Sequence, residues 1–265
     1  MSSSMIIGQY IPGTSIVHRM DPRSKIAIIF FFVVIVFFAN SVMSYGLLAL
    51  FSIGSALLSR IPFPYIMKGL KPVWFLVIFT FILHLIVTRQ GEVAFSLFGW
   101  EVYEEGLVQG AAISLRFFLL ILVTSLLTLT TTPIEITDAI EELLGPLKRV
   151  RFPVHELALM MSISLRFIPT LMQETEKISK AQASRGVDFR TGSFKDRIRA
   201  VIPLLVPLFV SAFKRAEELA MAMEARGYQG GEGRSKLREL RLGKLDVYLF
   251  IVFGVLVIGL LLTRS

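Results

Sequence analysis

Five apolar runs of near-spanning length constrain this chain more than any other feature. They cover residues 26–39, 42–58, 72–88, 107–130 and about 245–262. A bilayer-crossing helix needs about 20 apolar residues, so each run reads as a span completed by flanking polar residues. Only Asn40 and Ser41 separate the first two, which predicts a tight helical hairpin. Pro72 precedes the third run and suits a first helical turn. A mean hydropathy of +0.68 places the whole chain in the membrane class. The expected fold is an all-α polytopic membrane protein.

Loop charge sets the orientation. Arg19, Arg23 and Lys25 lie before the first run, and Arg60, Lys68 and Lys71 between the second and third. The 89–106 loop is acidic, with Glu92, Glu101, Glu104 and Glu105, and carries Trp100 and Tyr103 as interface anchors. Basic and non-basic segments alternate. That puts the N-terminus inside and the C-terminus outside, in agreement with five spans. The first apolar run begins too late for a signal peptide, so the N-terminus reads as a cytoplasmic arm leading into a retained span.

Three regions follow: 1–130, an arm with four spans; 131–244, a cytoplasmic region; and 245–265, the last span. The middle region holds 19 Lys and Arg against 14 Asp and Glu. Pro133 opens a short acidic helix there, stopped by Gly145 and Pro146. Lys148, Arg149 and Arg151 form a basic cluster. Pro153 then starts a long helix to about Arg185, with an apolar stripe through Leu157, Met160, Met161, Ile168, Leu171 and Ile178. Pro169 is expected to bend it. Residues 201–213 are apolar but rich in proline, and read as a helix lying at the membrane interface or against the spans, ahead of a second long helix. That second helix runs to about Arg226, ended by Gly227, Gly230, Gly231 and Gly233. Residues 234–244 are basic without interleaved aromatics, which favours lipid headgroups over nucleic acid.

Two tripeptides, Ser184-Arg185-Gly186 and Ala225-Arg226-Gly227, close the two long helices 41 residues apart. The residues before them match at the same offset: Glu176 with Glu217, Ile178 with Leu219, Ala181 with Ala222. Glycine can take the left-handed conformation that ends a helix. The preceding Arg sits where the helix dipole favours a cation, and can grip a carboxylate with two donors. Small residues beside it let a partner approach. Each end is therefore either an ordinary basic helix cap or a plug for an acidic groove, and the matched pair favours two equivalent partners. Met160, Met161, Met172, Met221 and Met223 cluster near these helices. They serve either as core filling or as an adaptable surface for a membrane partner.

A second internal match pairs residues 113–117 with 163–167 and puts Arg116 inside the fourth apolar run. An intramembrane Arg is costly and is usually paired. Snorkelling, pairing with Glu104 or Glu105, and a role in a functional interior all remain open. His84 reads as a hydrogen-bonded core residue. The chain has no Cys and no phosphate-binding G-x-x-x-x-G-K-[ST] loop, metalloprotease motif or nucleophile elbow. No cofactor, metal or catalytic residue is expected. A polytopic enzyme is disfavoured, and a stand-alone secondary transporter or channel is the competing reading.

Nearly the whole chain resembles the transmembrane T component of energy-coupling factor vitamin transporters. The most specific stretches are Thr132-Pro133 through Pro153, Arg166-Phe167-Ile168-Pro169, Ala183-Ser184-Arg185-Gly186 and Ala225-Arg226-Gly227. The resemblance implies that each Arg motif docks in a groove of one of two ATP-binding cassette ATPase subunits. It also implies a membrane-embedded S component that captures the vitamin. The chain would then be a non-enzymatic subunit of an importer in the cell membrane.

Overall fold

Prolines and capping side chains decide where the helices of this chain start. Asp21 caps α2 (Pro22–Ile35) by accepting the backbone N–H of Arg23 at 2.8 Å, with Pro22 in the first turn. Ser41 does the same for α3 (Val42–Ser59) through Ser44 N–H at 3.2 Å. The computed structural model describes residues 10–97, 100–150, 152–187, 194–230 and 240–263. Arg151 and most of the basic stretch 234–244 lie outside the described residues, as do Gly231 and Gly233.

A short α1 (Ile16–Arg19) precedes α2, and a 3-10 turn, Val36–Phe38, closes α2. After α3 come α4 (Phe63–Val87), a hairpin of β1 (Val93–Leu97) and β2 (Trp100–Tyr103), and α5 (Glu104–Thr130). Then follow α6 (Pro133–Leu143), a 3-10 segment Gly145–Val150, α7 (Val154–Ser184), α8 (Phe194–Ala225) and α9 (Lys244–Leu262).

The all-α membrane architecture holds, with three local corrections. First, α4 begins at Phe63, nine residues ahead of the expected start, and bends by 56° where Pro72 breaks its hydrogen-bond ladder. Second, the 89–106 loop contains an antiparallel hairpin with register Val93↔Tyr103 and Leu97↔Trp100, irregular between Val93 and Phe95. Third, residues 201–213 are no separate helix. They lie inside the 32-residue α8, which runs unbroken through Pro203 and Pro207.

Among the described residues, α3, α5, α7 and α9 are long and apolar enough to cross a membrane, and the bent α4 makes a fifth. The number agrees with expectation but the membership differs. The 26–39 run folds as the 14-residue α2 tightened by its 3-10 turn. In its place α7, expected outside the bilayer, has the length and composition of a span, since only Glu156 and Arg166 are charged between residues 154 and 173.

The chain forms two compact units, residues 1–143 with 239–265, and residues 144–238. In the first, α5 is the central element. Leu119 and Val123 pack with Ile28, Phe32, Leu48, Phe253 and Leu256. Leu122, Leu126 and Leu129 pack with Ile66, Leu70 and Val73 of α4. The four-residue spacing of Gly106, Gly110 and Ser114 brings α5 close to α4. A Cβ on Gly110 would meet Phe81 at 3.2 Å, and Ser114 Oγ donates to the Val77 carbonyl at 3.1 Å.

Buried charge ties this unit together at the start of α2. Arg23 binds Asp21 through Nη2 at 2.8 Å and reaches Glu142 on α6 through Nη1. Lys25 Nζ donates to the Thr130 carbonyl at 3.3 Å and Thr131 Oγ1 at 3.2 Å. Burial pushes the Asp21 carboxyl up, but hydrogen bonds from Arg23 and the charges of Arg23 and Lys25 outweigh it and hold the group below its ordinary value.

Candidate functional site

The second unit holds the two Arg-Gly ends, and they close by the same hydrogen bonds. At the end of α7, Gly186 N–H donates to the Ala183 carbonyl at 3.0 Å and Val187 N–H to the Gln182 carbonyl at 3.0 Å. At the end of α8, Gly227 N–H donates to Glu224 at 2.9 Å and Tyr228 N–H to Met223 at 3.0 Å. Gly186 has φ +86° and Gly227 φ +73°, a region that glycine enters without a Cβ penalty. Both are Schellman closures with glycine one residue past the cap. Arg185 and Arg226 are the cap residues themselves. Both side chains are exposed and make no hydrogen bond or ion pair among the described residues. Ser184 and Ala225 are exposed beside them, so nothing in the described chain covers either cation. An uncovered guanidinium at the negative end of a helix dipole is poised to meet a carboxylate.

Helices α7 and α8 run antiparallel, tied by polar contacts. Glu174 accepts from Ser211 Oγ at 2.9 Å and pairs with Arg215. Gln182 Nε2 donates to the Pro203 carbonyl at 3.3 Å. Glu174 lies 11 residues before Arg185, and Arg215 lies 11 residues before Arg226. The cross-helix ion pair therefore joins equivalent positions of the duplicated helices. At 1.5 Å per residue, each Arg sits about 16 Å of helix from that contact, on opposite sides of it because the helices are antiparallel. Sequence reading missed this contact. Its signal was present, since opposite charges stand at the repeat offset of 41.

The methionines divide. Met160, Met161 and Met221 are exposed, at 54%, 42% and 55%, whereas Met172 and Met223 are half-buried. The broader apolar surface is one the sequence reading had set aside: Ile202, Leu205, Val206, Phe209, Val210 and Phe213 form an exposed stripe along α8. Fused into a single helix, residues 201–213 present an uncovered face instead of lying as a separate element.

Arg116 is settled by neither Glu104 nor Glu105. Its Nη2 donates to the Ala39 carbonyl at 3.0 Å and the Tyr45 hydroxyl at 2.8 Å, and the guanidinium lies 5.5 Å from the Phe37 ring. The cation thus caps the carbonyl end of the 3-10 turn that closes α2 and is screened by aromatic faces. His84, half-buried rather than in the core, contacts Oγ1 of Thr88, the cap residue of α4, at 3.4 Å.

Comparison with known proteins adds an independent observation. Residues 13–237 match the family model CbiQ, described as cobalt transport protein. An energy-coupling factor transporter transmembrane protein EcfT from Bacillus subtilis (strain 168) is 67% identical over 240 residues, 91% of each chain. Proteins of the same name from Exiguobacterium sibiricum and Brevibacillus brevis are 56% and 53% identical, and the matches cover 97% of this chain and 98% and 97% of theirs. The match of the model to most of the chain, and of these relatives to nearly all of it, shows that the chain is a membrane transport protein belonging to the CbiQ family.

Proposed function

We propose that the chain is the coupling subunit of an ATP-driven importer of the energy-coupling factor type. The observation that carries this reading is the pair of matching helix ends, each presenting an exposed Arg on a Schellman closure. Two equivalent cationic plugs call for two equivalent receptors. ATP-binding cassette subunits with an acidic groove fit that need, and the chain has no phosphate-binding loop of its own. Arg185 with Ser184 and Gly186 takes one subunit, and Arg226 with Ala225 and Gly227 takes the other. The names of the relatives support an energy-coupling factor assembly.

The α8 stripe, with Met160, Met161 and Met221, is the surface offered to a membrane-embedded S component, and the half-buried Met172 and Met223 add to it. Cargo choice, whether vitamin or metal ion, then lies in that partner. We read α7 as a coupling helix rather than a span, because Glu174, Glu176, Lys177 and Lys180 crowd its second half and Arg185 caps it. Counting α2 with its 3-10 turn, rather than α7, as the fifth span keeps the N-terminus and residues 144–238 on the cytoplasmic side by the positive-inside pattern. Relative movement of the two ATPases pulls on the two Arg ends, and near-rigid helices convert the pull into a changed grip on the S component.

Pull-down from native membranes tests the reading, comparing the tagged chain with an Arg185→Glu, Arg226→Glu double variant. Two ATP-binding cassette proteins are expected with the parent chain and lost in the variant. A parent chain that retains no ATPase would overturn the reading in favour of a self-contained transporter.

A further inference from the structure

Pro207 has no N–H, so the Pro203 carbonyl four residues earlier loses the partner that an α-helix normally supplies. A different donor takes its place. Gln182 Nε2, from α7, reaches the Pro203 carbonyl at 3.3 Å. The backbone carbonyl of the same Gln182 accepts from Arg185 N–H and Val187 N–H, both at 3.0 Å, and so closes the Arg185 end. One residue therefore holds that end through its main chain and grips α8 through its side chain. The gripped carbonyl belongs to half-buried Pro203, next in sequence to Ile202 and one turn from Val206 of the exposed stripe.

We infer that Gln182 is a positioning residue that transmits displacement of the Arg185 end to the apolar stripe of α8. The inference rests on reading Arg185 as an ATPase docking point. The duplication does not reproduce the bond. The residue 41 after Gln182 is Met223, whose thioether donates no hydrogen bond, and the residue 41 before Pro207 is Arg166, which keeps its N–H. The two ends match in closure but differ in this grip. Load on Arg185 passes through a directional hydrogen bond into a proline notch. The corresponding side chain at the other end offers only soft packing.

Two substitutions remove the grip by different routes. Gln182→Leu deletes the donor at similar volume. Pro207→Ala restores an N–H to α8, so the Pro203 carbonyl is satisfied within its own helix and Gln182 is released without leaving that acceptor bare. Because the chain has no Cys, an introduced pair at Ala181→Cys and Phe213→Cys provides the only thiols for spin labels. In the full chain in nanodiscs, a single narrow distance is expected for the parent and a broadened distribution for both variants. An unchanged distribution in both overturns the latch.

In the assembled transporter, substrate imported per ATP hydrolysed is expected to fall about two- to tenfold in both variants, the range set by losing one neutral hydrogen bond. Broadened distances with an unchanged ratio overturn the transmission role. The pull-down above reports separately on docking, and the label distances need no ATPase, so failure of one reading is distinguishable from failure of the other.

Discussion

The carboxylate of Asp246 accepts the backbone N–H of Asp21 at 2.9 Å, joining the start of α2 to the start of α9 across 225 residues of chain. Its other oxygen accepts Gly243 N–H at 2.7 Å, so one buried side chain caps α9 and anchors it to α2. Asp246→Ala would leave two backbone donors without this partner. A loss of about 2–4 kcal/mol is expected, with Asp246→Asn losing less because it keeps an acceptor. Thermal unfolding of the detergent-solubilised chain measures both, and equal stability of parent and alanine variant would refute the anchoring role.

Acid should weaken the same region. The folded-state pKa of Asp21 lies below its ordinary value of 3.8. A depressed carboxylate contributes its stability in full above the unfolded value and loses it as pH falls through the folded one. Unfolding midpoints taken downward from pH 5 should therefore drop below about pH 4 in the parent. In Asp21→Asn that contribution should be missing at every pH, flattening the acid limb. A variant that keeps the parent's acid limb assigns it to other carboxylates.

Close approach of α4 and α5 depends on Gly110, where an added Cβ would lie 3.2 Å from Phe81 and 3.3 Å from the His84 Cβ. Gly110→Val is expected to cost about 1–3 kcal/mol through overpacking. Gly46 in α3 faces open space, with nothing within 4 Å. Gly46→Ala should stabilise by roughly 0.5–1 kcal/mol through reduced chain entropy. Opposite signs in the same unfolding assay are the expected result.

Reversing the Glu174–Arg215 pair examines the contact between the duplicated helices. Each of Glu174→Arg and Arg215→Glu alone places like charges together and should impair uptake by the assembled transporter. The double exchange should recover most of the loss, because the pair is restored in the opposite sense. Additive losses would mean that the two side chains act independently.

Helix identity was largely legible from sequence because apolar runs and proline starts are local signals. Runs at 107–130 and 245–262 and the proline-initiated α6 and α7 appear close to their expected bounds. Errors arose where local signals compete with packing. Pro203 and Pro207 argue against a continuous helix, yet α8 runs through both, and Gln182 satisfies one carbonyl that the prolines leave without a donor. Pro72 reads as a helix start, but the helix extends back to Phe63, where Ile66 and Leu70 bury against α5. The 89–106 hairpin was hidden by its short strands among acidic residues.

The sequence by itself determined that this is a predominantly helical membrane chain with two duplicated Arg-Gly helix ends, since hydropathy, glycine and proline act over a few residues. Tertiary structure alone decided what Arg116, Glu174, Gln182 and Asp246 do. A charge or amide in sequence names a donor or an acceptor. Its partner lies tens to hundreds of residues away, at a position set only when helices pack and buried polar groups must be satisfied.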